Sequence, residues 1–258
     1  MNDFTPSAAR TDVARSLLAR WDAQQTAYIK HRDQRFAVMA DTIRRVCGQA
    51  PRVLDLACGP GSLTASLRQA MPEASVVALD KDPVLLTIAS DVFAGDARVA
   101  IGDADLDVAG WASALEGGFD AVVSSTALHW LTPERLAALY FELAEIVVPG
   151  GLFMNADHLQ FDAQAQKTLR RVALIDDEDN QQAAFGAGVD DWDQWWAAAS
   201  AVPDYAEAVA RRPSVWTKDG PRPKVTLGYH LEALRSAGFV ETGTVWQYLD
   251  DYVVCAVR

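Results

Sequence analysis

The sequence predicts a doubly wound α/β fold in which a mostly parallel sheet of seven strands carries an antiparallel edge and a helical cap. Five short apolar runs, VLDLA (53–57), VVALD (76–80), VAIGD (99–103), FDAVVSS (119–125) and GLFMNAD (151–157), alternate with helix-length segments. That alternation is the pattern of parallel strands joined by crossover helices. Two more β-like runs, TGTVWQYLD (242–250) and YVVCAV (252–257), follow a tight turn apart and are expected to pair antiparallel at one edge.

Taken in order, residues 10–29 and 33–47 place apolar side chains at helical spacing, Val13, Leu17 and Trp21 in the first and Phe36, Met39, Ile43 and Val46 in the second. Two amphipathic helices therefore precede the sheet. Asp82-Pro83 and Thr132-Pro133 each set a side-chain acceptor before a proline, which marks a capped helix start. The helix with core face Leu136, Leu139, Leu143 and Val147 is expected to stop at Pro149-Gly150-Gly151.

Residues 158–224 break this rhythm with an acidic cluster at 176–179, the aromatic patch DWDQWW (191–196) and a Pro/Gly-rich linker over 211–224. They read as an inserted helical cap, after which a short helix (229–239) leads into the terminal hairpin. The expected organisation is an N-terminal helical cap (1–49), an α/β core (50–157), the inserted cap (158–224) and the end of the core (225–258).

The chain has 258 residues, with 23 basic and 35 acidic side chains and a formal charge of −12. Nucleic acids and anionic membrane surfaces repel such a balance, so neither is an expected partner. Cys47, Cys58 and Cys255 are odd in number and widely spaced, which suggests neither a disulfide framework nor a zinc site. No run approaches the roughly eighteen apolar residues of a membrane span. A cytoplasmic protein is expected.

The stretch Val53-Leu54-Asp55-Leu56-Ala57-Cys58-Gly59-Pro60-Gly61-Ser62 carries the chemistry. A strand runs through a glycine turn into a helix, so backbone N–H groups converge where the strand ends. Gly59 and Gly61 leave room for a ligand against the backbone. Asp80 ends the second strand, where a carboxylate can accept from both hydroxyls of a ribose, and Gly102-Asp103 ends the third. The dinucleotide fingerprint would need glycine or alanine where Thr64 stands, which disfavours a nicotinamide or flavin enzyme.

At these residues the chain resembles the class I S-adenosylmethionine-dependent methyltransferases, whose first motif is hydrophobic-hydrophobic-Asp/Glu-x-x-x-Gly-x-Gly. Ala78-Leu79-Asp80, Gly102-Asp103-Ala104, Phe119-Asp120 and Val148-Pro149-Gly150-Gly151 follow in the family's order. Ser124-Ser125-Thr126-Ala127-Leu128-His129-Trp130 looks like the small-molecule branch that includes trans-aconitate methyltransferases. The resemblance implies a Rossmann-like fold and S-adenosyl-L-methionine as cofactor. Asp55 and the Ala57–Gly61 backbone would hold its methionine and ribose parts, Asp80 the ribose hydroxyls, and Lys81 would flank the adenine. Asp103 would accept from the adenine amino group, the Ala104 amide would donate to the ring, and Ser124 or Ser125 would face the methionine. Relatives clamp the methionine carboxylate with an arginine from an N-terminal helix, for which Arg35 is the candidate and Arg32 the alternative.

His129 and His158 follow the fourth and fifth strands, at the sheet edge where ligands bind, and either is a candidate general base or a hydrogen-bonded packing residue. Asp157 would orient His158 or accept a proton itself. Trp192, Trp195 and Trp196, at i, i+3 and i+4, either staple the cap to the core or wall the methyl acceptor. Trp192 and Trp196, with Tyr28 and Trp130, are the candidate acceptor contacts. The acidic cluster reads as a solvated face with no metal. A nucleic-acid methyltransferase is excluded by the charge and by a fourth strand without the (Asp/Asn/Ser)-Pro-Pro-aromatic segment. The expectation is methyl transfer to a small-molecule acceptor; the alternative is a cofactor-binding module or scaffold that transfers no methyl.

Overall fold

The computed structural model describes residues 6–216 and 224–258, so half of the expected linker, 217–223, lies outside the described residues. One sheet holds β1 (Arg52–Leu56), β2 (Ser75–Asp80), β3 (Val99–Asp103), β4 (Phe119–Ser125), β5 (Val147–His158), β6 (Glu241–Tyr248) and β7 (Asp251–Val257). Their order is β3-β2-β1-β4-β5-β7-β6. The first five strands are parallel; β7 runs antiparallel to both β5 and β6, and β6 takes the edge.

Strands covered on both faces need apolar side chains in succession, and β1 buries Val53, Leu54 and Leu56 that way. One face packs against α5 (Pro133–Ile146) and α9 (Leu227–Ser236) through Leu136, Leu139, Leu143 and Leu234. The other packs against α2 (Arg32–Cys47) and α3 (Ser62–Ala70) through Phe36, Met39, Ile43, Leu63 and Leu67. A third cluster joins α1 (Ala8–Tyr28), α4 (Pro83–Val92), α7 (Trp192–Ser200) and α8 (Ala206–Val215) through Leu17, Ile88, Trp195 and Ala208. α6 (Lys167–Gly186) completes the cap and buries a single residue, Ala173. Both proline-preceded caps form: Asp82 accepts from the Val84 and Leu85 N–H groups and Thr132 from that of Arg135.

Three expectations are corrected. α5 ends at Ile146, and Pro149-Gly150-Gly151 lies inside β5 instead of stopping the helix. Branched Val147 and Val148, with Val148 preceding proline, favour extended backbone. The Pro-Gly-Gly then forms an irregularity, because Phe119 pairs with Val147 but Ala121 with Leu152. In the two N-terminal helices, Val13 and Val46 are exposed, and Ala14 and Ala40 take part in the core instead. Finally, α8 continues through Pro213 to Val215, into the stretch expected as linker.

Candidate active site

The carboxyl ends of β1, β2, β4 and β5 open into a cavity of about 870 Å³, roofed by α1, α6, α7 and α8. That is the edge at which doubly wound sheets bind ligands. Beyond β1 the chain turns sharply: Ala57 and Gly59 both adopt positive φ, 52° and 58°. A Cβ built on Gly59 would meet nothing within 4 Å, so the backbone here is open to a ligand. Gly61 has a different role from the expected one. It lies outside the cavity wall, and a Cβ there would stand 2.4 Å from the Phe93 ring.

Asp80 faces the cavity with its carboxylate held by two backbone donors, Gly59 N–H on Oδ2 and Asp82 N–H on Oδ1, both at 2.8 Å. Burial nevertheless pushes its pKa up to about 6. Asp55 beside it is raised to about 7 by burial, with the charge of Asp80 adding and the Thr64 hydroxyl, donating at 2.6 Å, opposing. Two neighbouring buried carboxyls whose pKa values burial has raised mark a candidate functional site.

The two arginines separate. Arg35 is fully buried and off the cavity wall, with Nη1 donating to Asp251 Oδ1 at 2.6 Å and Nη2 to Ser125 Oγ at 2.9 Å and to the Ala156 carbonyl at 3.1 Å. Its guanidinium ties β7 to the ends of β4 and β5. Arg32 lines the cavity: Nη1 donates to Asp22 Oδ1 at 2.7 Å, and Nε is buried with no partner among the described residues. Asp22 also accepts from the Ser62 hydroxyl at 2.6 Å, so it fixes Arg32 against the start of α3.

At the end of β3, Asp103 points outward, with a side chain 64 % exposed and Arg211 at 3.9 Å. The acids on the cavity wall here are Asp105, which accepts from Lys81 at 3.4 Å, and Asp107, 3.5 Å from the same ammonium. The Ala104 amide is committed to the Asp80 carbonyl at 2.9 Å, although the residue itself lines the wall. Lys81 also lines it, with its ammonium 4.5 Å from the Trp216 ring. At the end of β4, Ser124 is buried in the floor, where it donates to the Leu56 carbonyl at 2.9 Å, and Ser125 faces the cavity.

His129 and Asp157 converge from β4 and β5. The ring Nδ1 lies 2.8 and 3.0 Å from the two carboxylate oxygens, so Nδ1–H donates and Nε2 is the remaining nitrogen. Burial works to raise the pKa of Asp157, but the charge and hydrogen bond of His129, with Arg35 and His158 behind, outweigh it and hold the carboxyl below the usual range. Asp157 also accepts from the backbone of His158 at 2.9 Å. It therefore orients His129, not the His158 ring. That ring lies 3.8 Å from Asp250 and 4.0 Å from Asp251. Burial opposes its charge, yet the two carboxylates outweigh it and its pKa is raised.

Of the tryptophans, Trp195 is buried and donates to the Leu17 carbonyl at 3.0 Å, which staples α7 to α1. Trp192 and Trp196 line the cavity, as do Tyr28 and Trp130. Sequence reasoning passed over a junction on the same wall: Asp82 Oδ2 accepts from Arg212 Nε at 2.7 Å and Trp216 Nε1 at 2.8 Å, and the Arg212 guanidinium stacks 3.7 Å from Trp196. It also read 176–179 as solvated, whereas Asp177 shares a cavity-facing stripe with Arg170, Leu174 and Gln181. The spacing i, i+4, i+7, i+11 was the available signal. Among the described residues no group of three or more His, Cys, Asp or Glu could hold a metal, and no helix is long and apolar enough to cross a membrane.

Residues 53–151 match the methyltransferase domain family. A trans-aconitate 2-methyltransferase of Methylobacterium nodulans is 34% identical over 157 residues, 60% of this chain and 57% of that protein. One of Streptomyces avermitilis is 27% identical over 262 residues, 88% of this chain and 93% of that protein. The chain thus spans little more than half the length of the first of these relatives. Solved structures share the fold: an O-methyltransferase family protein from Burkholderia thailandensis (TM-score 0.57, 16% identity, 85% of this chain and 55% of that one) and the S-adenosylmethionine-dependent methyltransferase SibL (0.55, 21%, 86% and 54%). Residues 53–151 thus resemble a methyltransferase domain, and the chain is similar to the trans-aconitate 2-methyltransferases.

Proposed function

We propose that the chain is an enzyme that transfers a methyl group from S-adenosylmethionine to a small-molecule acceptor held beneath the helical cap. The observation that carries this reading is the cradle at the ends of β1 and β2. There, the Gly59 backbone is open to the cavity, and the buried Asp80 carboxyl is oriented toward donors. The residues present fit that cofactor. Asp80 suits the ribose hydroxyls, the Ala57–Gly59 backbone the sulfur-bearing chain, and the cavity-lining guanidinium of Arg32 the methionine carboxylate. Arg32 thus takes the role first expected of Arg35, and Asp105 that of Asp103.

When bound, S-adenosylmethionine supplies an electrophilic methyl whose carbon accepts an electron pair from the acceptor while the pair of the broken bond stays on sulfur. The chain's own task is to align the acceptor and exclude water. Trp192, Trp196, Tyr28, Trp130 and α6 line the cavity, with Trp130 next to His129. His129 is the base, its imidazole oriented by Asp157. His158, whose proton is favoured by Asp250 and Asp251, is a donor to the acceptor and not a base. On this reading the segments 1–49 and 158–224 choose the acceptor, and trans-aconitate is the acceptor suggested by the relatives' name.

Thermal unfolding with and without S-adenosylmethionine tests the reading. At a ligand concentration a hundredfold above Kd the native state gains about 2.7 kcal/mol, and Asp80→Ala should abolish the shift. An unchanged wild-type midpoint at saturating ligand would overturn it.

A further inference from the structure

We infer that the acceptor is a neutral hydroxyl compound of phenol or enol type, from which His129 removes the proton, and not a carboxylate. This rests on the methyl-transfer reading above and goes beyond it, because the relatives carry the name of a tricarboxylate.

Two independent observations lead there. The first is the dyad. His129 Nδ1 is spent on a buried Asp157, and Nε2 has no hydrogen-bond partner among the described residues, which is the arrangement that makes an imidazole a proton acceptor. A carboxylic acid, with a pKa of about 4, has already lost its proton at neutral pH and needs no base. A phenol, with a pKa of about 10, keeps its proton and needs one. On transfer the hydroxyl proton goes to Nε2, the oxygen retains the pair with which it bonds carbon, and the resulting imidazolium, held by Asp157, later releases the proton to solvent.

The second observation is the charge at this end of the cavity. Asp157, Asp177 and Asp250 line the cavity from β5, α6 and the β6–β7 turn together with the two imidazoles, and Arg32, Lys81, Arg170, Arg212 and Lys224 line the same cavity. Asp157 and Asp250 are already paired with the two imidazoles, so an incoming polyanion would compete with carboxylates for the same cations, and like charges brought together in a sheltered site repel. A flat neutral ring, by contrast, finds Tyr28, Trp130 and Leu174 on the walls.

The test first measures S-adenosylhomocysteine binding by calorimetry, which judges the cofactor reading alone. Protein supplied with S-adenosylmethionine then receives matched pairs of phenols and carboxylic acids on the same ring systems, and trans-aconitate. Product S-adenosylhomocysteine should form from a phenol at least tenfold faster than from its carboxylate partner. His129→Gln should lower that rate by about 10²- to 10⁴-fold. 4-Nitrophenol gives a readout without turnover: bound to wild type with S-adenosylhomocysteine below neutral pH it should show the phenolate band, which His129→Gln and Asp157→Asn should both diminish. The inference is overturned if trans-aconitate or the carboxylate partners are the faster acceptors. It is overturned equally if no phenol binds, or if phenol turnover in His129→Gln stays within threefold of wild type. Should cofactor bind while any of these occurs, the acceptor assignment fails and the methyltransferase reading does not.

Discussion

Arg212 and Asp82 join the cap to the carboxyl edge of the sheet, with Nε donating at 2.7 Å to a carboxylate that has no exposed surface. The same carboxylate caps α4 through its other oxygen, so one side chain organises a core helix and a cap helix together. Arg212→Met removes one of two donors to a buried oxygen, at a cost of about 1–3 kcal/mol. The loss should be local, because α8 buries only Ala208 along its length. Hydrogen exchange in 206–215 should accelerate while the strands stay protected; unchanged exchange there would show that the contact does not hold the cap.

Arg32 and Arg35 are one helical turn apart and should fail in different ways. Arg35→Met strands Asp251, which is buried beside it, and should destabilise the fold by about 3–5 kcal/mol. Arg32→Met should leave the fold largely intact but weaken S-adenosylhomocysteine about 10- to 100-fold, the value of a charge-assisted pair. 5′-Methylthioadenosine lacks the amino-acid carboxylate, and its affinity should stay within threefold of wild type. Equal losses for both ligands would remove Arg32 from the carboxylate subsite.

The two glycines of the turn make a similar contrast. Gly61 has φ +99° and the Phe93 ring where a Cβ would go, so Gly61→Ala should cost about 2–4 kcal/mol in strain and overpacking. Gly59→Ala meets open space and pays only the left-handed backbone, about 1–2 kcal/mol, but its methyl projects where ligand would lie. Thermal midpoints should fall further for Gly61→Ala, and S-adenosylhomocysteine affinity further for Gly59→Ala. The reverse ranking would contradict the assignment of Gly59 to the cradle.

The sheet was legible because buried parallel strands write themselves as apolar runs, and Asp55, Asp80 and the glycine turn were legible because they sit at fixed offsets from those runs. What escaped the sequence depended on direction and distance. Asp103 and Asp105 are two residues apart, and only the twist of the chain leaving β3 decides which faces inward. Arg32 and Arg35 share a helix, and Arg35 turns away because Asp251, 216 residues later, is there to receive it. The Asp82–Arg212–Trp216 junction spans 134 residues and leaves no local pattern at all. Asp157 was paired with the neighbouring His158 by sequence proximity, whereas strand pairing of β4 with β5 delivers it to His129.

Asp80 gives the cofactor site a pH dependence whose sign is fixed by its burial. With a pKa near 6 in the ligand-free protein, the carboxyl is largely protonated at pH 5 and largely ionised at pH 7. Ribose hydroxyls donate to the ionised form, so binding expels the proton and S-adenosylhomocysteine affinity should rise with pH, up to tenfold per unit below about 6, then level off. Stability of the ligand-free protein runs the other way. A raised folded pKa gives a contribution complete below the unfolded value of 3.8 and lost as pH climbs through 6, so the ligand's thermal stabilisation should widen between pH 5 and 7. Calorimetry in two buffers of different ionisation enthalpy should detect proton release near pH 6 in wild type and in Asp55→Asn. In Asp80→Asn the release should vanish along with most of the affinity. A flat affinity between pH 5 and 7 would mean that the ribose end of the ligand is not read by Asp80.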